Sequence, residues 1–318
     1  MLSKSSFNQI LDRGLLKICS KLPLRLVQRV LWLLQTHPEV GDRWNYHIRQ
    51  HHFYEPWPRF QDLISDHILA RRENPSINWA WDQQLALLQD LEAYQLEVEA
   101  LTQEQDGFDF QNSQFREFDA AIYYTLLRHL KPKTIIEVGS GYSTQVAHRA
   151  IAQNQQHDAP CSLICVEPYP SASLLKANLP IQLIQERLEH LDLGLFKQLQ
   201  SGDILFIDST HTVKFNSDVC REFLEIIPTL NTGVWIHIHD IFFPLDYPPH
   251  WLIQERRAWN EQYLVEAFLS YNTQFDVKLA NHWVALDYPE EAAKVWPKVR
   301  DWQGSHHCGS LWLRKRAV

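Results

Sequence analysis

The sequence predicts an α/β fold, a doubly wound and mostly parallel seven-stranded sheet with an N-terminal helical extension. Two observations carry that prediction. From Phe118 onward, short β-branched runs alternate with segments of helical length and periodicity. Such alternation means crossover units and a parallel sheet covered on both faces. The first run also turns into a helix through Gly139-Ser140-Gly141, in a chain with only 10 glycines among 318 residues.

The extension is residues 1–115 and the sheet domain residues 116–318. After Pro23, a good first helical residue, Leu24, Val27, Leu31 and Leu34 fall at helical spacing, with Arg25 and Arg29 on the opposite side. His51 to Phe60 contains two prolines and cannot be regular helix. A second helical pattern runs from Trp81 to Leu101. Ala120–Leu130 is a helix that Pro132 ends. Thr134–Val138, Ser162–Val166, Ile181–Ile184, Asp203–Ile207 and Val234–His239 then read as strands. Between them Thr144–Gln153, Leu188–Gln200 and Lys214–Ile227 read as helices. Glu255–Ser270 is a further helix, and Phe275–Leu279 with Ser310–Arg314 close the sheet as a hairpin-like pair.

Composition narrows the function. With 45% apolar and 21% charged residues the chain is ordinary globular material. The net charge of −8 argues against a general nucleic-acid binder. It is uneven: Lys4, Arg13, Lys17, Lys21, Arg25 and Arg29 against Asp12 make the first 38 residues +5 and leave −13 for the rest. A basic amphipathic segment either packs on its own domain or a second subunit, giving a homodimer, or lies on a membrane surface. Five scattered cysteines without a CxxC pair suit free thiols in a reducing cytoplasm. No apolar run reaches the length of a transmembrane segment.

The sharpest motif is Ile135-Ile136-Glu137-Val138-Gly139-Ser140-Gly141-Tyr142-Ser143-Thr144. Glycines let the backbone turn tightly and a ligand approach it, and the helix start behind offers free N–H groups, with Ser143 or Thr144 as its cap. The third glycine of the dinucleotide fingerprint is missing, and Glu137 inside the strand suits a cationic ligand. Glu167 ends the next strand 28 residues past Gly139, near the spacing at which a carboxylate binds ribose hydroxyls.

With these residues in view, the chain resembles a class I S-adenosylmethionine-dependent methyltransferase with a Rossmann-like sheet. More narrowly it resembles a bacterial family of methyltransferase-domain proteins. The matching pieces are His52-Phe53-Tyr54-Glu55-Pro56, Asp119 to Tyr124, Phe206-Ile207-Asp208-Ser209-Thr210-His211, and His237-Ile238-His239-Asp240-Ile241-Phe242-Phe243-Pro244 with Tyr247-Pro248 beyond. The resemblance spans residues 50 to 315. It implies S-adenosylmethionine as cofactor, with Glu137, Gly139, Ser140 and Gly141, joined by Tyr142 and Ser143, cradling the methionine part. It implies Glu167 on the ribose, adenine near Glu186 to Leu188, and Tyr54 in a lid.

Ligands bind beyond the carboxyl ends of strands in open parallel sheets, so the fourth and fifth strands aim Asp208, His211, His239 and Asp240 at one crevice. Mixed carboxylate and imidazole suits manganese, iron or zinc ahead of magnesium. The strand ends match those where catechol-type O-methyltransferases hold a metal, with His239 in place of an acid. A metal-free His/Asp base and a purely structural cluster remain as alternatives, and His237, alternating with His239, reads as a core residue. His51-His52 and His306-His307-Cys308 lack the spaced second half of a zinc site. The expected function is methyl transfer to a small-molecule acceptor, with His211 or His239 as base and Asp208 beside them. A nicotinamide-dependent oxidoreductase or a non-catalytic cofactor-binding protein is the alternative.

Overall fold

β1 (Thr134–Val138), β2 (Ser162–Val166), β3 (Gln182–Ile184), β4 (Ile204–Ile207), β5 (Trp235–Ile238), β6 (Phe275–Ala280) and β7 (Leu311–Lys315) form one sheet in the order β3-β2-β1-β4-β5-β7-β6. In this computed structural model the described residues are 21, 23–43, 49, 52–59, 63, 70–103, 108–115, 117–302 and 307–317. Lys4, Asp12, Arg13, Lys17, His51, Phe60 and His306, named above, lie outside them. The chain divides into two compact units, residues 1–59 and 60–318.

β1 to β5 pair in parallel, while β7 runs antiparallel to both β5 and β6. The chain builds outward from β1 to β3 and then returns to lay β4 against the other side of β1. That reversal opens a crevice at the carboxyl ends of β1 and β4. β4 shows why the sheet is buried on both sides. Ile204 and Phe206 enter the core on one face, and Leu205 and Ile207 enter the core on the other.

Two polar residues interrupt the first of these cores. Glu137 and His237 align across the sheet with Cys165, Phe206 and Trp312 in one row, and all five are fully buried. His237 stacks on Phe206 at 3.9 Å and shares a 2.8 Å hydrogen bond with Ser310. Burial holds its pKa well below the ordinary value, so it is a neutral core histidine.

The helices differ from expectation mainly at their ends. Glu117–Leu130 and Tyr142–Gln155 form, each starting earlier than its sequence pattern. Trp81–Leu101 is split by a 3₁₀ turn at Glu92–Tyr94. Leu188–Gln200 is not one helix. Turns at Leu188–His190 and Gly194–Lys197 flank Asp192, whose side chain accepts from the Gly194 N–H at 2.7 Å and so competes with helical pairing. The segment read from Lys214 begins at Asp218, capped by Ser217. The segment read from Glu255 becomes helical only at Glu261. Asn260 is the reason: its side chain accepts from the Val213 N–H at 2.6 Å.

Residues 81–115, placed by the sequence in the extension, belong to the second unit. Leu88, Leu91, Val98 and Leu101 share a core with Ile135 and Phe206. The first unit contains the helix Leu24–Thr36, where Arg29 lies over the Trp32 ring at 4.3 Å. Among the described residues no helix is long and apolar enough to cross a membrane.

Candidate active site

The turn after β1 is shaped by backbone constraints. Gly139 has φ +80°, and a Cβ there would lie 1.9 Å from the Asp208 carbonyl oxygen. Only glycine permits β1 and β4 to approach so closely. Gly141 is different, because a Cβ there meets nothing within 4 Å. Its N–H donates to Thr144 Oγ1 at 2.9 Å, and the Thr144 hydroxyl donates to Glu137 Oε2 at 2.6 Å. Gly141, not Ser143 or Thr144, is thus the N-cap of the Tyr142–Gln155 helix. Thr144 instead ties the turn to the strand beneath it.

A cavity of about 1110 Å³ opens above this turn and the neighbouring strand ends. Gly139, Ser140, Gly141, Tyr142 and Ser143 line it, with Glu167 across. Glu167 accepts from the Ser140 N–H at 3.2 Å and the Tyr169 N–H at 2.7 Å. Glu137 sits behind the wall, fully buried, and burial pushes its pKa up to about 7. Tyr169, Ser171, Ser173 and Leu174 complete the Glu167 end. Glu186, expected near adenine, pairs with His190 at 3.0 Å. Tyr54 lies in the first unit, its ring 4.2 Å from that of Phe53 and tilted 50° to it.

The ends of β4 and β5 bring the expected reactive residues together on the cavity wall. His211 Nε2 lies 3.2 Å from Asp208 Oδ1 and 3.5 Å from Asp240 Oδ2. His239 Nδ1 faces the same two oxygens at 3.4 and 3.7 Å. Asp208, His211 and Asp240 each place one ligand atom within 4.8 Å of the others. His211 and Asp240 both take φ +56°, a left-handed conformation that costs a non-glycine residue about 1–2 kcal/mol. Such strain persists where the surrounding structure over-determines it.

Two carboxylates stand behind the imidazoles: Glu261, which no motif singled out, and Asp119, which opens one of the matching pieces. His211 Nδ1 shares a 2.9 Å hydrogen bond with Glu261 Oε2, and His239 Nε2 lies 3.8 Å from Asp119 Oδ2. Asp119 is itself held by Asn281 Nδ2 at 2.8 Å and the Gly309 N–H at 2.7 Å. Burial disfavours charge on His211 and His239, yet the facing carboxylates raise both well above the ordinary histidine value. Burial likewise opposes ionisation of Asp208, but His239 and His211 hold its carboxyl well below the usual range. At Asp240 burial prevails and the pKa is raised.

Residues 136–241, which span the turn, Glu167 and the cluster, match the model of a family described as a methyltransferase domain. Over residues 136–241 the chain is similar to a family of methyltransferase domains. An uncharacterized protein of Archaeoglobus fulgidus is 25% identical over 171 residues, covering 48% of this chain and 74% of its own. Among solved structures, the O-methyltransferase TomG from Streptomyces achromogenes, in complex with S-adenosylmethionine, is similar at 12% identity and a TM-score of 0.36. That overlap covers 78% of this chain and 93% of TomG. An O-methyltransferase from Bacillus cereus, in complex with S-adenosylhomocysteine, is similar at 14% identity and a TM-score of 0.32, covering 62% of this chain and 82% of its own. Overlaps this loose say nothing of substrate or metal.

The far end of the cavity comes from the segment after β5, where Pro248, His250, Trp251, Glu255, Arg257 and Trp259 line it. The Trp259 ring lies 4.4 Å from the His211 ring, tilted 43° to it.

Proposed function

We propose that this protein transfers the methyl group of S-adenosylmethionine to an oxygen, nitrogen or carbon nucleophile on a small molecule, assisted by a divalent cation. The observation that carries this reading is a single cavity joining the glycine turn and Glu167 to the Asp208, His211, His239 and Asp240 cluster. The residues fit the cofactor. The space above Gly141 is open, and Ser140 Oγ is buried on the wall without a partner among the described residues. Free N–H groups at the start of a 14-residue helix suit a carboxylate. Glu167 offers its oxygens to a ribose diol. Bound S-adenosylmethionine supplies an activated methyl on a cationic sulfur, and the acidic wall favours that charge.

The cluster fits a cation as well. Asp208, His211 and Asp240 converge, and Glu261 orients His211 through its other nitrogen, as outer carboxylates orient metal-ligating imidazoles. Mixed nitrogen and oxygen donors favour manganese, iron or zinc ahead of magnesium. A cation there would polarise and orient the acceptor. In the transfer, the acceptor's lone pair bonds to the methyl carbon while the carbon–sulfur pair goes to sulfur. His239 takes the acceptor's proton while a cation occupies His211 Nε2, and His211 can do so where no cation is bound, with Asp208 beside both rings. In-line displacement asks mainly for positioning, which the fixed strand ends provide.

Calorimetric titration with S-adenosylhomocysteine, NAD and NADP tests the reading, alongside elemental analysis of the purified protein. S-adenosylhomocysteine alone should bind, and Glu167→Ala should weaken it by about 1.5–3 kcal/mol, as for a lost charged hydrogen bond. Binding of NAD in its place would make the protein an oxidoreductase.

A further inference from the structure

The cavity wall is strongly acidic, with Asp119, Glu167, Asp208, Asp240 and Glu255. Arg257 is the only lysine or arginine among its described lining residues. Its guanidinium is held in place: Cζ lies 4.4 Å from the Trp251 ring centroid and 4.6 Å from that of Trp259. The two indoles meet edge to face at 5.1 Å. Nε and Nη2 both contact Glu255 Oε2 at 2.7 Å, and Nη1 has no partner among the described residues. Arg257 is therefore a pre-organised fork with one edge open. Trp259 touches both Arg257 and the His211 ring, so the guanidinium carbon and the His211 ring centroid stand no more than about 9 Å apart.

Resting on the methyltransferase reading above, we propose that Arg257 is an anion subsite for the acceptor, which carries a carboxylate about one indole width from the atom that is methylated. A planar guanidinium edge matches a carboxylate bidentately, and the flanking indoles remove the freedom that binding would otherwise cost. Glu255 serves as the resting counter-ion. It keeps the lone cation neutral when the subsite is empty and makes the acceptor's anion compete for it. The carboxylates on the wall repel an anion, so Arg257 favours the orientation in which a carboxylate-bearing acceptor turns its nucleophile toward the cluster.

The test uses the full chain, saturated with S-adenosylhomocysteine and titrated with benzoate or benzamide, probes of one shape that differ by a charge. Benzoate should bind at least about ten-fold tighter than benzamide. Arg257→Met should reduce that preference to within about two-fold while leaving S-adenosylhomocysteine affinity unchanged, which also shows that the variant is folded. Glu255→Gln should act in the opposite direction and tighten benzoate by about three-fold or more, because the competing carboxylate is gone. Benzoate no tighter than benzamide in the wild type, or a preference that survives in Arg257→Met, would overturn the subsite. Failure of S-adenosylhomocysteine to bind at all would instead overturn the methyltransferase reading.

Discussion

Replacing Glu137 with glutamine should make the protein more stable at pH 8 and change little at pH 5. The carboxyl is fully buried in the sheet. Oε2 accepts from the Thr144 hydroxyl at 2.6 Å and from the Cys165 thiol at 3.5 Å, whereas Oε1 has no partner among the described residues. Burial raises the pKa from the ordinary 4.5 to about 7. A shift of that size corresponds to on the order of 3 kcal/mol against the ionised form. Below the unfolded value both states hold the proton and no penalty exists. Between about 4.5 and 7 the unfolded chain ionises first, so stability falls by about 1.4 kcal/mol per pH unit. Above 7 the folded state ionises too and the full cost stands. Glutamine mimics the protonated acid, so the variant lacks this slope. Urea unfolding of both proteins from pH 5 to pH 8, read as the difference between them, cancels the other titrating groups. The difference should be within about 1 kcal/mol at pH 5 and grow to about 2–3 kcal/mol in favour of glutamine at pH 8. A difference independent of pH would refute the assignment of a neutral, desolvated Glu137.

Gly139→Ala should destabilise the fold by several kcal/mol, because its Cβ would lie 1.9 Å from the Asp208 carbonyl oxygen at φ +80°. Gly141→Ala should unfold at nearly the wild-type urea concentration yet bind S-adenosylhomocysteine at least about ten-fold more weakly, since its methyl points into open space above the turn. Asp208→Ala should remove bound metal in elemental analysis while leaving S-adenosylhomocysteine affinity within about two-fold, because the turn and Glu167 belong to β1 and β2. His237→Ala should cost about 2–4 kcal/mol in thermal or urea unfolding, through lost packing on Phe206 and the lost Ser310 hydrogen bond, and should not alter metal content.

β1, β2 and β4 were legible because each is a short apolar run followed at once by a glycine or an acid, and a buried parallel strand leaves little else for its sequence to be. The residues at the ends of β4 and β5 were legible for the same reason, since parallel strands place their last residues in one crevice. Glu137 misled. An acid two residues before a glycine turn reads as a ligand contact, but the even register of β1 points it into the core beside Cys165. Arg257 and Trp259 were hidden by periodicity that read as helix from Glu255. Nothing local shows that Asn260 spends its side chain on Val213 and delays the helix to Glu261. Glu261 then looks like any acid in a first helical turn. Its contact with His211 spans 50 positions of sequence and no spacing rule reaches it. Asp119 lay in a segment that already stood out, but its approach to His239 depends on how a helix before β1 meets the end of β5.

Charge balance explains why the cluster is built around two imidazoles and not one. Four carboxylates surround them: Asp208 and Asp240 face a ring nitrogen of each, Glu261 holds the far side of His211, and Asp119 lies near the far side of His239. Uncompensated charge is costly in so buried a place, and burial duly raises Asp240 and Glu261. Two imidazolium protons offset only part of four negative charges. A divalent cation between Asp208 and Asp240 would offset as much without occupying the ring nitrogens with protons, leaving them free as ligand and base. The cationic sulfur of the proposed cofactor, entering from the Gly139 side, adds to the same balance. Acids clustered at these strand ends therefore favour both cations of the proposed reaction at once, and Arg257, across Trp259, supplies the separate positive charge on which the proposed acceptor's carboxylate would rest.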